Sequence, residues 1–259
     1  MLRAISQLAK IDSLLAKVEG IKFNATLPVS IKIKEQTKPQ EYLLDVGNKK
    51  ELKTKSEVPL DVGKKYWGVL KQSPQTKSIS LSHLLKQPIH LQSGKKSAMP
   101  NLKLDEFKTI LESEKPKENL KFALLTKLST ATTKSEFLSL TNMLNAINEN
   151  VFTFVLAQDQ KETLFQFKKS KPKNKEEEDS DENAKVDFYA AFENLGPVEG
   201  VVEVIDGVRK LSLYLYYENS LKFLQKELDN LDIESFLYKK EGNISPLYEY
   251  GESLLDVKG

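Results

Sequence analysis

The 259-residue sequence contains no cysteine. Disulfides, thiolate zinc sites, iron–sulfur clusters and cysteine nucleophiles are therefore excluded. Histidine is almost as scarce, with His83 and His90 the two present. One of them could serve a Ser-His-Asp arrangement, but they cannot build a histidine-rich metal cage. No apolar run approaches the roughly 18–20 residues of a membrane-spanning helix, so no membrane insertion is expected. There is no Gly-rich phosphate loop with a following Lys-Ser/Thr, no Gly-x-Ser-x-Gly elbow and no His-Glu-x-x-His pair. No cofactor, metal or small-molecule substrate is expected. The composition points instead to a non-enzymatic interaction or assembly protein.

What the chain does have is charge, and it is unevenly spread. Hydrophobic residues make up 39% and charged residues 29%, a globular composition. At roughly 100–150 residues per domain there is room for two modest domains, or three small ones. Residues 1–100 hold 18 basic and 8 acidic side chains, a balance of +10. Residues 101–184 hold 13 and 15, and residues 185–259 hold 8 and 14, a balance of −6 at the C-terminal end. The basic half suits an acidic protein, nucleic acid or anionic surface, or simply a solvated lysine-rich exterior. The opposite signs also suggest contact between the two ends. Near the N-terminus Lys10 and Asp12 interrupt any apolar signal core, so no cleavable signal is expected and the expected location is cytoplasmic.

The hydrophobic period changes along the chain. In residues 1–20, Ile5, Leu8, Ile11, Leu14, Leu15 and Val18 recur at helical spacing and predict an amphipathic helix ending near Gly20. Residues 21–92 alternate instead. Ile21, Phe23 and Ala25, then Val29, Ile31 and Ile33, then Glu41–Val46, Lys64–Lys71 and Ser78–Leu81 read as strands. Turns at Gly47-Asn48, Asp61 to Gly63 and Ser73-Pro74 separate them. Short, closely spaced strands predict a small basic antiparallel β-barrel. Residues 86–101 read as a linker.

Residues 102–150 return to helical spacing. Asp105 caps a first short helix, Pro116 opens a second, the Ser-Thr-Ala-Thr-Thr run at 129–133 breaks it, and Phe137–Ile147 form a third. Residues 151–259 predict an α+β C-terminal domain. It begins with a hairpin over Val151–Ala157 and Leu164–Phe167. A mobile loop over 168–184 follows, since that stretch has no apolar side chain larger than alanine. Val186–Phe192, Val198–Ile205 and Arg209–Tyr217 read as strands, with Asp206-Gly207 as a hairpin turn. Asn219 or Ser220 caps a helix with Leu221, Phe223, Leu224 and Leu228 on its inner face, and Leu231–Tyr238 is a last strand. The fold class is therefore α+β: an N-terminal helix, a small antiparallel β-barrel, a helical middle and a C-terminal β-β-α-β unit.

Candidate chemistry is thin. His83, at the end of a strand, reads as structural or solvated. Together with scattered carboxylates it is the sole support for a hydrolase reading. The acids Glu176–Glu178, Asp179, Asp181 and Glu182 lack the glycine and distal glutamate of a calcium loop and read as a solvated run. Lys64, Lys65, Tyr66, Trp67 and Lys71 form the candidate for a nucleic-acid-binding groove, since small barrels stack single strands on aromatics. Against it, adjacent strand residues face opposite ways, and Arg3 is the single arginine of that half, where base readout favours arginine.

The run 192–237 carries a further pattern: Leu195-Gly196-Pro197-Val198, a hairpin, the strand Leu211–Tyr217, then the helix Ser220–Asn230 and another strand. This run resembles the C-terminal domain of the flagellar hook-length control protein family. The turn Val58–Gly63 is similar to the amino-terminal modules of larger relatives. The resemblance implies a protein partner, the cytoplasmic domain of the flagellar export gate, and a switch between export substrates of the type III apparatus. Export of the chain itself is a further implication. The family's long Gln/Pro/Ser-rich ruler segment has no counterpart here, so length measurement is not implied. The implied contact residues are Leu195, Val198, Val202, Tyr214 and Tyr216. Tyr214 and Tyr216 lie opposite the Leu211/Leu213/Leu215 face and would expose aromatic rings, whereas Tyr217 belongs with the leucines in the core.

Overall fold

The computed structural model describes residues 27–47, 51–72, 75, 79–92, 109, 113–158, 161–170, 184–205, 207–227 and 233–251. The amphipathic segment 1–20, the strand over 21–25, the acidic run 176–182 and, apart from Thr109, the helix capped by Asp105 lie outside them. Runs of strands are separated by helices in an α+β arrangement with two sheets.

The first sheet holds β1 (Val29–Lys38), β2 (Glu41–Asp45), β3 (Glu51–Lys55), β4 (Lys65–Gln72) and β5 (Ile79–Lys86). All pairs are antiparallel, in the order β3-β2-β1-β4-β5. Period-2 alternation puts Ile31, Ile33, Tyr42, Leu44, Tyr66 and Leu70 on the buried face. Two of these tyrosines staple the Val58–Gly63 turn. The Tyr42 hydroxyl accepts from Leu60 N–H at 3.2 Å, and the Tyr66 hydroxyl from Asp61 N–H at 3.0 Å.

The expected barrel is an open sheet. Its edge strands β3 and β5 approach each other, but no ladder joins them among the described residues. β5 carries a bulge. His83 and Leu84 together oppose Gly68, and His83 has φ of 55°. Such a bulge bends the strand locally. A Cβ at Gly68 would sit 2.7 Å from Leu81 Cδ1, so that side chain would have to shift. The sequence pattern places β5 too short, over Ser78–Leu81, and omits β3, whose five residues include three exposed charges. Within the stretch read as a linker, β5 runs to Lys86 and a short helix α1 (Ile89–Gln92) follows.

The second sheet holds β6 (Phe152–Gln158), β7 (Lys161–Ser170), β8 (Ala184–Phe192), β9 (Gly196–Ile205), β10 (Val208–Leu215) and β11 (Glu234–Lys239). Their order is β11-β10-β9-β8-β7-β6. Every pair is antiparallel except β10 with β11, which are parallel and joined by a crossover helix, α4 (Glu218–Glu227). The β-β-α-β unit is thus present. Two of its details differ from the sequence reading. α4 starts at Glu218, so Asn219 and Ser220 lie in its first turn, and Ser220 Oγ instead donates to the buried Leu195 carbonyl at 2.9 Å. Residues 168–170, read as the start of a loop, complete β7 and pair with β8.

Both faces of this sheet are used. On one, Phe154, Phe165, Phe188, Phe192, Val198 and the three leucines of β10 pack under Leu224 of α4. Gly200 pairs with Phe188 and gives its ring room: a Cβ there would fall 2.2 Å from Phe188 Cζ. On the other face lies an α-hairpin, α2 (Pro116–Ser129) and α3 (Lys134–Asn148). α2 opens on proline, whose missing N–H is no loss in a first turn. α3 opens on Thr133, whose hydroxyl accepts from Glu136 N–H. The hairpin buries Leu120, Leu124, Leu140, Met143 and Ile147 against Val155, Leu164, Tyr189 and Ala191.

The C-terminal stretch 244–251 lies over the same face. Gln166 bonds the main chain of Tyr248, and Asn142 that of Gly251, each by donating and accepting.

Candidate interaction surface

The register across β8, β9, β10 and β11 decides which side chains share a face. Tyr238, Tyr214 and Glu199 stand in one cross-strand row. Phe236, Ser212 and Val201 stand in the next, then Glu234, Lys210 and Glu203, and Val208 pairs with Ile205 at the hairpin tip. These residues lie on the face that the α2–α3 hairpin covers over β6, β7 and β8, but beyond its reach. Ile205 is 47% exposed, Val208 50%, Phe236 38% and Tyr238 45%. Tyr214 is half-buried and stacks on Tyr238, ring centroids 5.2 Å apart.

Charge pairs cross this apolar patch. Lys210 reaches Glu234 at 3.8 Å and Lys185 reaches Glu203 at 3.4 Å. Lys240 bonds Glu199 at the opposite end. At the start of α4 the hydrogen bond from Lys222, with help from Lys239, holds the Glu218 carboxyl below its usual range. The patch therefore offers apolar and aromatic area with locally balanced charge.

The residues implied by the resemblance divide. Leu195, Val198 and Val202 are buried beneath α4. Strand parity puts Val198 and Val202 on the leucine side, and Leu195 is enclosed in the turn before β9, where its carbonyl accepts from Ser220 Oγ. Tyr216 is half-buried at the junction of the two sheets, edge-on to His83 and Tyr217. Of the five, Tyr214 alone lies on the open patch. Tyr217 is buried as expected, and its hydroxyl donates to the His83 carbonyl at 2.8 Å. Burial pushes that phenol's ionisation up.

Ile205, Val208, Phe236 and Tyr238 were not singled out by sequence reasoning. The run Phe236-Leu237-Tyr238 signalled a strand but not which of its side chains face outward. Their exposure was not readable, because it depends on where the helical hairpin stops.

The nucleic-acid candidates are not brought together. Tyr66 faces the interior of the first sheet, and Trp67 is buried at the inter-sheet junction. Neither ring can stack on a base. Lys71 is exposed, while Lys64 and Lys65 are half-buried, and Gln92 brackets the main chain of Lys65. His83 supplies the bulge, its ring nitrogen 3.1 Å from Ser82 Oγ. Among the described residues no cluster of three or more His, Asp or Glu side chains could hold a metal ion, and no helix is long and apolar enough to cross a membrane.

No protein-family model matches this chain, and neither a curated protein nor a solved structure is significantly similar to it.

Proposed function

We propose that the chain is a non-enzymatic interaction protein whose β9-β10-α4-β11 unit docks a protein partner on its open sheet face. The observation that supports this is the gathering of Ile205, Val208, Phe236 and Tyr238, all substantially exposed, beside Tyr214 on one half of one face. Contiguous exposed apolar area rimmed by charge is the signature of a binding surface. The same unit carries the resemblance to the flagellar hook-length control family. The partner is therefore the cytoplasmic domain of a flagellar export gate, and the act is a switch of export substrate. On this reading the protein works in the cytoplasm and is itself open to export. The five-stranded sheet is a barrel-like module left open along the β3–β5 seam.

The test is deletion of the gene in its native cell, followed by electron microscopy of the flagella. Overlong hooks or missing filaments are expected. Normal flagella and motility would overturn the reading.

A further inference from the structure

β11 ends the second sheet, and among the described residues no strand pairs with its outer side. That side is regular. The Lys240 N–H donates to the Leu215 carbonyl at 2.9 Å, which continues the parallel register of β10 with β11. Main-chain groups alternate in direction along a strand. Glu234, Phe236 and Tyr238, in phase with Lys240, therefore turn their N–H and C=O toward β10. Those of Ser235, Leu237 and Lys239 point out of the sheet.

An edge of this kind is a template for another strand, and proteins blunt the edges that must stay single. The other three edges are blunted. β3 carries exposed Glu51, Lys53 and Lys55. β5 is interrupted by the bulge at His83. β6 is enclosed, with Thr153, Phe154 and Val155 buried. β11 has none of these devices. Its charged residues stand at its ends, Glu234 and Lys239, and its middle exposes Phe236 and Tyr238 on the open face.

We propose that β11 pairs with β11 of a second copy of this chain, antiparallel about a two-fold axis at Leu237, joining the two sheets into one. The strand is self-complementary in that register. Leu237 faces Leu237 of the second copy and Ser235 faces its Lys239, so every outward N–H and C=O meets a partner. This centre is the one that pairs all three outward residues. Phe236 falls opposite Tyr238 of the second copy, at a non-hydrogen-bonded position where side chains come closest. Glu234 falls opposite Lys240 of the second copy, so opposite charges are in register. The axis stands normal to the sheet, which sets the open faces of the two copies side by side. The pairing uses the edge of β11 rather than a partner on that face, so either can fail without the other.

The test is self-association of the full chain with no other protein present. A strand edge with two aromatic pairs is a small interface of the transient class, so the sedimentation-equilibrium mass should rise from one chain toward two between about 10 and 1,000 μM. Over that range hydrogen exchange at the Ser235, Leu237 and Lys239 amides should slow at least about twofold, and the amides of Glu234, Phe236 and Tyr238, already turned to β10, should change less. Phe236→Glu with Tyr238→Glu sets acid against acid across the axis, and Phe236→Lys with Tyr238→Lys sets base against base. Each double variant should keep the parent's far-ultraviolet circular dichroism and associate about tenfold more weakly or worse. An equimolar mixture of the two should recover the association. The proposal is overturned if the parent is a single chain at about 1 mM, or if the three outward amides do not slow. It is also overturned if either double variant associates as strongly as the parent, or if the mixture stays monomeric.

Discussion

The indole N–H of Trp67, in the middle of β4, donates a 2.9 Å hydrogen bond to the main-chain carbonyl of Phe192 at the end of β8. With the Tyr217–His83 bond it ties the first sheet to the second. Both bonds join neutral groups, and the contact around them is apolar, with Trp67 and Val69 packed beside Tyr217 and Ile244. The opposite net charges of the two ends suggest an attraction between charged surfaces. The junction instead rests on an aromatic ring filling a dry site, with its one polar atom satisfied.

Trp67→Phe should therefore cost about 1–3 kcal/mol, by leaving the Phe192 carbonyl buried without its donor. Trp67→Ala should cost more, about 3–5 kcal/mol, from the cavity left behind. Urea unfolding followed by far-ultraviolet circular dichroism measures both. Equal midpoints for the parent and Trp67→Ala would contradict a packed junction.

The open face and the core beneath it should respond in opposite ways. Phe236→Ala removes an exposed ring and should change stability by less than about 1 kcal/mol. If the face docks the export-gate domain, the same change should weaken binding by about tenfold or more, as expected for an aromatic anchor. Leu195→Ala should instead cost about 2–5 kcal/mol, because that side chain is fully enclosed. Calorimetric binding and thermal melts on the two variants separate the roles. Loss of stability in Phe236→Ala would return that residue to the core.

Stability should depend on pH through His90. In the unfolded chain it takes up a proton near 6.5, but in the folded chain only near 3, because burial disfavours the charged ring. Between those values the unfolded state binds more protons, so stability rises with pH across the window. The contribution is complete above 6.5 and is lost as pH falls toward 3. The limiting slope is about 1.4 kcal/mol per pH unit. Comparing the parent with His90→Phe between pH 6.5 and 5.5 isolates the effect from carboxylates. The variant should be flatter, and identical slopes would show that His90 does not stay neutral on folding.

Much of the fold was legible because local physics dictates it. The switch from alternating to helical spacing located the α2–α3 hairpin, with Pro116 at its start. The turns Gly196-Pro197 and Asp206-Gly207 bounded β8, β9 and β10, and β10 followed from the alternation of Leu211, Leu213 and Leu215. Parity put Leu211, Leu213 and Leu215 inside and Tyr214 on the other face. β3 was illegible because an edge strand with Lys53 and Lys55 outward needs little apolar signal. The bulge at His83 was illegible because a non-glycine residue there adopts a left-handed backbone that no local pattern announces.

What the sequence determined alone was the α+β class, the absence of cysteine and motif chemistry, and the β-β-α-β unit. These depend on composition and on periods of two and 3.6 residues, which act over a few neighbours. Tertiary structure decided which half of the second sheet stays uncovered and that Trp67 joins the two sheets. It alone brought His90 against Tyr250, 160 residues apart in the sequence. Those outcomes depend on how far a helical hairpin reaches and on which side chains meet across distant segments, and neither is encoded in any local stretch.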